Sequence, residues 1–144
     1  MKISTKGKYG LKAVVDIAMF AEDEKCVSIK AIAERQGLSE NYLEQIIGSL
    51  RKAGVVQSKR GANGGYFITK PSCELTVGEV LRVLEGPLTP SDCIVSRTDS
   101  CGRSDCNICH TKDVWQILYD KINEVVDSIS IEDLIKGSSH SAFK

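Results

Sequence analysis

The sequence predicts a mainly α-helical protein with a small β-hairpin, organised as a winged helix-turn-helix domain followed by a long C-terminal dimerisation helix. Three observations predict this fold. Apolar residues recur at helical spacing along most of the 144-residue chain. Two short segments rich in β-branched and aromatic residues flank a turn rich in glycine and positive charge. The last long helical segment carries an apolar stripe that needs a partner to cover it.

The first three helices are predicted to form the helix-turn-helix. Their ranges are about 8–22, 29–36 and 40–53. Ser28 and Ser39 are placed to cap the second and third helices, because a serine hydroxyl accepts from the unpaired amides of a first turn. Gly37 supplies the tight turn between these two helices, and Gly54 ends the third.

A β-hairpin is predicted directly after the third helix, and it forms the wing. Its strands are expected at residues 55–58 and 66–69, with the turn at 59–65. Thr76 and Glu79 have the spacing of a capping box, which predicts a further helix that ends near residue 84.

The second half of the chain is predicted to contain a loop, two helices and a tail. Proline, glycine and polar residues alternate with cysteines before an amphipathic helix at about 111–128, and Ser130 is placed to cap a short final helix. The amphipathic helix packs either on a second copy or on its own domain. The predicted divisions are a winged domain at 1–85, a cysteine-rich loop at 86–110, dimerisation and terminal helices at 111–136 and a flexible tail at 137–144.

Charge and composition limit the classes of function that this chain can have. The formal net charge is zero, but residues 1–70 hold 12 Lys and Arg against 7 Asp and Glu, whereas residues 71–144 hold 7 against 12. This asymmetry is typical of a protein whose first half meets a polyanion. No apolar stretch is long enough for a membrane span or a secretory signal, so we expect a cytoplasmic protein with no membrane partner.

Polar and basic residues in the helix-turn-helix and the wing predict a double-stranded DNA interface. The start of the third helix is expected to enter the major groove, the wing to approach the minor groove, and basic residues nearby to contact phosphates. Glu44 is unusual beside DNA, where it accepts from a cytosine amino group or repels wrong sequences. The candidate DNA-binding residues are Thr5, Lys6, Lys8, Ser39, Asn41, Tyr42, Glu44, Gln45, Arg51, Lys59, Arg60, Gly61, Gly64, Gly65 and Tyr66.

Four of the six cysteines lie close together and predict a metal or redox site. Their spacing is Cys93-x7-Cys101-x4-Cys106-x2-Cys109, with His110 as a reserve ligand. Four thiolates suit either iron in a cluster or zinc, and the spacing alone does not choose between them. The two remaining cysteines, Cys26 and Cys73, are isolated in the sequence, and we expect them to be small buried or incidental residues.

The chain resembles a family of small bacterial winged-helix regulators that includes IscR, NsrR and CymR. The resemblance rests on the first ten residues, MKISTKGKYG, and on the recognition-helix segment LSENYLEQ at 38–45. It extends to the wing segment RGANGGY at 60–66, to GEV at 78–80 and to SIEDL at 130–134. The resemblance implies a homodimer that binds palindromic promoter sites and dimerises through the helix at 111–128.

Members of the family that the chain resembles differ from one another at the cysteine segment. IscR-like and NsrR-like members hold an iron–sulfur cluster there with three cysteines, whereas CymR-like members lack them, and this chain is similar to the cluster binders. It departs from the IscR-like pattern, in which a histidine follows the third cysteine by three residues. Counted from Cys106, that place holds Cys109; if Cys109 is the third cysteine, the place holds Lys112. The fourth ligand therefore stays open.

These observations predict a homodimeric, sequence-specific transcription regulator or repressor controlled by an iron–sulfur cluster, [2Fe–2S] in preference to [4Fe–4S]. We expect target genes of cluster assembly or of cysteine and sulfur metabolism. An enzyme of cysteine metabolism or of cluster assembly is a further candidate partner, for which the sequence itself gives no support. The alternatives are a cluster-free thiol- or zinc-dependent regulator and a nitric-oxide-sensing repressor of the same fold. An enzyme is not expected, because no catalytic triad, phosphate loop or redox Cys-x-x-Cys on a βαβ pattern is present.

Overall fold

The computed structural model describes residues 1–21, 25–96 and 109–137. Within these ranges the chain forms helices and one antiparallel hairpin. The helices are α1 (Thr5–Phe20), α2 (Ile29–Gln36), α3 (Glu40–Lys52), α4 (Val77–Glu85), α5 (Asp92–Val95), α6 (Lys112–Ser128) and α7 (Ile131–Ile135), and the strands are β1 (Val56–Lys59) and β2 (Gly65–Ile68). The mainly helical fold with a small hairpin is thereby confirmed.

The hydrophobic core lies between α1, α2, α3, α4 and the hairpin. Its fully buried side chains are aliphatic, as the low aromatic content requires, and those of α3 come from one face of that helix. The largest of them are Val14, Ile17, Ile32, Leu43, Ile46, Ile47, Leu50, Val56, Leu75, Val80 and Ile131.

Serine and threonine caps set where the helices begin. The hydroxyls of Ser28 and Ser39 accept from the third amides of α2 and α3, as predicted, and Thr76 forms the predicted capping box with Glu79. The first helix begins at Thr5 rather than near residue 8, because the Ser4 hydroxyl accepts from the amide of Gly7 at 3.2 Å. The basic residues at the start of the chain therefore belong to a helix.

The wing hairpin is joined by a third segment. β1 and β2 pair from Val56 opposite Ile68 to Lys59 opposite Gly65. The amide and carbonyl of Val27 exchange hydrogen bonds with Tyr66 at 2.9 and 2.8 Å. This bridge fixes the wing against the chain that leads into α2.

The long helix α6 presents two apolar sectors. Ile122, Val126 and Ile129, which follows its last turn, pack against the core of their own chain. The neighbouring sector is solvent-exposed, and its residues are Val114, Ile117, Leu118 and Val125, which are 50%, 60%, 42% and 53% exposed. The single stripe seen in the sequence thus serves two surfaces.

An ion-pair network holds α6 on α4. The Arg82 guanidinium donates to both carboxylate oxygens of Asp127 at 2.7 and 2.8 Å and to the side-chain oxygen of Asn123 at 2.7 Å. These hydrogen bonds from Arg82 hold the pKa of Asp127 below its ordinary value. The pair is therefore intact at neutral pH, and its contribution is lost as the pH falls through the depressed pKa.

The chain returns to the winged domain after α6. Val77 donates to the carbonyl of Ile129 at 2.9 Å, and Ile131 donates to the carbonyl of Leu75 at 2.8 Å. The side chain of Ile131 is fully buried, and α7 packs against α1. The terminal helix therefore shares the core of the winged domain.

The described part of the segment at 86–110 includes a helical turn. The sequence predicts a loop throughout, but residues Asp92–Val95 form α5, which packs against α6. Residues 97–108 lie outside the described residues, as do most of the tail and residues 22–24.

A buried ion pair joins α1 to α2, and its loss is expected to destabilise the domain. The Asp16 side chain is 3% exposed and accepts from Arg35 at 2.9 and 2.6 Å and from Gln36 at 3.1 Å. We expect Asp16→Ala to lower the free energy of unfolding by about 2 kcal/mol, less than for a fully buried pair because Arg35 is partly solvated. Denaturant unfolding at fixed protein concentration measures the loss.

The control is Lys136→Ala, which removes an exposed ion pair with Glu132. Its expected effect is below about 0.5 kcal/mol. Equal losses in the two variants would show that the Asp16 pair does not hold α1 and α2 together.

Candidate nucleic-acid interface

The start of α3 presents polar side chains to solvent. Asn41, Glu44 and Gln45 are exposed, whereas Leu43 between them is fully buried and anchors the helix to the core. Ser39 is also exposed, but its hydroxyl accepts from the amide of Tyr42 at 3.2 Å as the helix cap. The three exposed side chains are free to meet base edges, and the cap fixes their direction.

The first half of α1 lies alongside this face. The rings of Tyr9 and Tyr42 meet edge to face, with centroids 6.3 Å apart, and the Lys12 ammonium lies 5.4 Å from the Tyr9 ring centroid. Tyr42 is half-buried and packs against the core. This predicted DNA contact therefore has a packing role, because it holds α3 against α1.

The first turns of α1 carry the predicted phosphate contacts. Thr5 and Lys8 are exposed, and Lys6 is half-buried. At the other end of the interface, Arg51 lies in the last turn of α3 and is exposed, with its guanidinium 3.5 Å from the Ser58 hydroxyl of β1. Cations thus flank the recognition helix at both ends.

The turn of the wing is exposed, and the structure explains on steric grounds why glycines stand there. Lys59 and Arg60 are exposed, and Gly61 has a φ of 121°, which favours glycine. A Cβ at Gly64 would overlap the carbonyl oxygen of Lys59, and one at Gly65 would overlap the backbone of Val27. The turn is too tight for a side chain at Gly64, and the wing packs too closely against Val27 for a side chain at Gly65.

Tyr66 differs from the other predicted wing contacts. It lies in β2, is half-buried and packs against the core. Its backbone bonds to Val27 fix the wing. The side chain thus supports the wing, whose exposed residues precede it.

A cationic cavity of about 890 Å³ lies between the wing and the start of α2. Its polar lining includes Lys25, Ser28, Arg35, Lys59 and Arg60. Sequence reasoning did not assign Lys25 or Ser28 to the interface. The signal for Ser28 was its position as the cap of α2, where amides of the first turn attract anions.

Each of the four described cysteines lies in a different part of the chain. Cys93 is half-buried on α5, with its sulfur 3.1 Å from the Ser91 hydroxyl. Cys109 is exposed three residues before α6 begins, with its sulfur 3.4 Å from the Thr111 hydroxyl. Cys26 is half-buried in the cationic cavity, and Cys73 is exposed. 

Of the other candidate ligands, the structure describes His110 but not Cys101 or Cys106. His110 is exposed beside Cys109. Cys101 and Cys106 lie outside the described residues. Across residues 1–21, 25–96 and 109–137, no three histidine, cysteine or acidic side chains are gathered as for a metal ion. The donor set of Cys93 and Cys109 fits a thiolate-bound group, because soft sulfur donors suit iron–sulfur clusters and zinc.

An exposed recognition helix, a cationic wing and a flanking basic helix define a DNA-binding winged-helix transcription regulator. Comparison with known proteins agrees. Residues 3–137 match the Rrf2 family, described as iron-dependent transcriptional regulators. The chain belongs to the Rrf2 family.

Three relatives give the degree of similarity. The regulator CymR of Bacillus subtilis strain 168 is 40% identical over 134 residues, which cover 93% of this chain and 89% of that protein. The structure of IscR from T. potens is 44% identical with a TM-score of 0.76, covering 98% of this chain and 90% of that one. The structure of CymR from B. subtilis is 38% identical with a TM-score of 0.77, covering 94% and 97%.

These relatives are named as transcription regulators, and the chain is a regulator rather than an enzyme. None of the helices in the described part of the chain is both long and apolar enough to cross a membrane.

Proposed function

We propose that the chain is a homodimeric regulator that binds a palindromic operator and responds through a cluster held by its cysteine segment. Residues 1–85 bind DNA, residues 86–110 sense and residues 111–136 dimerise, while α7 also strengthens the winged domain. The observation that carries the proposal is the exposed polar face of α3, set beside a cationic wing and a basic helix start.

Each part of the interface has its own task on DNA. Asn41 and Gln45 hydrogen-bond to base edges in the major groove, where amide side chains pair with adenine. Glu44 accepts from a cytosine amino group or rejects sequences that lack one. Arg60 enters the minor groove, where its guanidinium meets a strongly negative potential. 

Phosphate contacts fix the register of the domain on the duplex. They are assigned to Thr5, Lys6, Lys8, Ser39, Arg51 and Lys59, with Gly61, Gly64 and Gly65 allowing close approach of the wing backbone. Lys25 and Ser28 extend this set into the cationic cavity.

The exposed sector of α6 forms the dimer interface in this proposal. Four apolar side chains at helical spacing, from Val114 to Val125, are each at least 42% exposed. An isologous contact between two copies of this sector covers all of them at once. Two winged domains related by a two-fold axis match a palindromic operator.

The thiolates of Cys93, Cys101, Cys106 and Cys109 supply the ligands for an iron–sulfur cluster, preferentially [2Fe–2S], with His110 in reserve. When bound, such a cluster supplies redox and nitric-oxide reactivity. The similarity to IscR supports this assignment. A B. subtilis relative is described as the global cysteine regulator, which supports target genes of cysteine and sulfur metabolism, alongside cluster assembly.

The similarity to CymR supports a second candidate, a cluster-free thiol- or zinc-dependent regulator. Cys26 gives this candidate a structural basis, because this half-buried cysteine is one of the residues that line the cationic cavity beside the wing. Metal and sulfide content of protein purified without oxygen separates the two candidates: iron with sulfide supports the cluster, and stoichiometric zinc supports the alternative.

Arg60→Ala is expected to weaken operator binding about tenfold or more, because the wing loses a guanidinium that has both charge and fit. The probe is a duplex that the wild-type protein selects from a random-sequence DNA pool. Binding is measured by fluorescence anisotropy at physiological salt.

The matched control is Lys136→Ala, which removes one exposed positive charge far along the chain from the wing. Its affinity is expected to stay within about twofold of the wild type. Wild-type affinity in Arg60→Ala would remove the wing from the interface, and no selected duplex at all would refute sequence-specific binding.

A further inference from the structure

The start of α1 is tied to the end of α4 by a carboxylate. The backbone amide of Ser4 donates to Glu85 Oε1 at 3.0 Å, and the Ser4 hydroxyl donates to the same oxygen. Ser4 is also the cap of α1, since its hydroxyl oxygen accepts from the Gly7 amide. Ser4 therefore joins the beginning of α1 to Glu85, the last residue of α4.

Two glycines let the helices meet without intervening side chains. A Cβ at Gly7 would overlap the carboxylate of Glu85, and one at Gly10 would overlap a methyl group of Leu84. Both glycines are buried on α1. The first turns of α1 therefore follow any displacement of the last turn of α4, because close-packed surfaces transmit strain.

The cysteine segment at 86–110 begins directly after Glu85, at the junction where Glu85 contacts Ser4. Gly86 ends α4 with a φ of 78°, and Leu88 is then buried at 2% exposure. The Leu88 carbonyl accepts from the Asn123 side chain of α6 at 3.1 Å. The start of the segment is thus held between the junction and α6.

Hydrogen bonds continue from there to the first candidate ligand. The Thr89 hydroxyl donates to the carbonyl of Ser91 at 2.6 Å, and the Ser91 hydroxyl lies 3.1 Å from the sulfur of Cys93. The chain that runs from Glu85 to Cys93 is therefore held by the buried Leu88 and by hydrogen bonds at Leu88, Thr89 and Ser91.

We propose that Glu85 is a positioning residue for DNA binding. In this proposal the state of the cysteine segment changes operator affinity through the contact between Glu85 and Ser4. The proposal rests on the proposed function, which places the first turns of α1 on operator phosphates. Thr5, Lys6 and Lys8 follow Ser4 directly, so the contact sets where their side chains meet the duplex.

The sign of the effect separates positioning from simple charge. A carboxylate near a phosphate backbone repels it, so deleting the charge alone raises DNA affinity. Deleting a positioning contact lowers affinity instead. Glu85→Gln removes the charge but keeps an oxygen that accepts from Ser4, whereas Glu85→Ala removes both.

The first experiment uses the full-length, cluster-free protein and the duplex selected by the wild type. Glu85→Ala is expected to bind about tenfold more weakly, with a salt slope smaller by about one to two from lost phosphate contacts. Glu85→Gln is expected to bind within about twofold of the wild type or more tightly. Glu74→Ala, which removes an exposed acidic side chain of the same domain, serves as the charge control and is expected to stay within about twofold.

Wild-type affinity and salt slope in a folded, dimeric Glu85→Ala protein would overturn the positioning role. If that variant is unfolded by circular dichroism, Ser4→Ala replaces it, with an expected loss of about threefold because the backbone donor remains. Unchanged affinity in Ser4→Ala would then overturn the role. Weak binding by Glu85→Gln equal to that of Glu85→Ala would also overturn it.

The second experiment compares operator affinity before and after iron–sulfur reconstitution, with iron content as an independent readout. The wild-type ratio of the two affinities is expected to differ from one, and the Glu85→Ala ratio to move toward one at equal iron content. An unchanged ratio in Glu85→Ala would overturn the coupling alone. A wild-type ratio of one would refute cluster control itself, leaving the positioning role to the first experiment.

Discussion

Ile117→Asp is expected to convert the proposed dimer to a monomer. Ile117 is 60% exposed in the apolar sector of α6, where Val114 precedes it and Leu118 and Val125 follow it. In an isologous interface each substitution occurs twice, so two unpaired carboxylates enter one apolar contact. Leaving charges unpaired in such an environment costs several kcal/mol, and each 1.4 kcal/mol weakens association about tenfold.

The winged domain is expected to remain folded in this variant. Ile117 contributes to no buried part of its own chain, whereas Ile122 and Val126 on the adjacent sector pack against the core. Substitution at Ile117 therefore separates dimerisation from folding, which substitution at Ile122 does not.

Analytical ultracentrifugation measures the change, with an expected increase in the dimer dissociation constant of at least about 100-fold. Operator affinity is expected to fall as well, because a monomer contacts one half-site. The matched control is Gln116→Asp, which adds the same charge on the polar face, where Gln116 donates to Asp120 at 2.9 Å. A dimer of unchanged stability in Ile117→Asp would place the interface on another surface.

The local structure was largely predictable from the sequence. Helix starts at Ser28, Ser39 and Thr76 and the turn at Gly37 follow from side-chain chemistry that acts within four residues. The buried face of α3 follows from its apolar spacing. The helix start at Thr5 was missed because the apolar repeat begins later, although Ser4 is a recognisable cap.

Long-range contacts were not predictable in the same way. The return of Ile131 to the core and the bridge from Val27 to Tyr66 join residues distant in sequence, and no local pattern encodes their pairing. Gly7 lies in the N-terminal segment on which the resemblance rests, and only the close approach of Glu85 gives the reason for its missing side chain.

The candidate interface shows the same division. Exposed residues such as Asn41 and Gln45 were recognisable from their place at the start of a capped helix. Tyr42 and Tyr66 were grouped with them, yet both are half-buried and support the helix and the wing. Aromatic side chains serve both packing and recognition, so residue type alone does not separate the roles.

Cys93→Ala is expected to abolish or strongly destabilise the proposed iron–sulfur cluster. The side chain is half-buried on α5, a single helical turn that packs against α6, and its replacement removes one of the proposed thiolate ligands. Loss of one thiolate from a four-ligand site leaves an open iron position. Iron and sulfide are expected to fall to less than about one fifth of the wild-type content, with loss of visible absorption. Cys101→Ala is expected to behave alike.

The fold is expected to survive this change, because Cys93 is not among the described residues that form or pack against the core of the winged domain. Cys73→Ala is the matched control: Cys73 is exposed, lies outside that segment, and its replacement is expected to leave iron content and absorption unchanged. Cys26→Ala tests the thiol alternative, since Cys26 lines the cationic cavity beside the wing. Full iron content in Cys93→Ala, or its loss in Cys73→Ala, would refute the ligand assignment. If the wild type retains zinc and Cys93→Ala loses it, Cys93 is a ligand of a zinc ion rather than of a cluster. A four-coordinate zinc–thiolate site stabilises structure and has no redox chemistry.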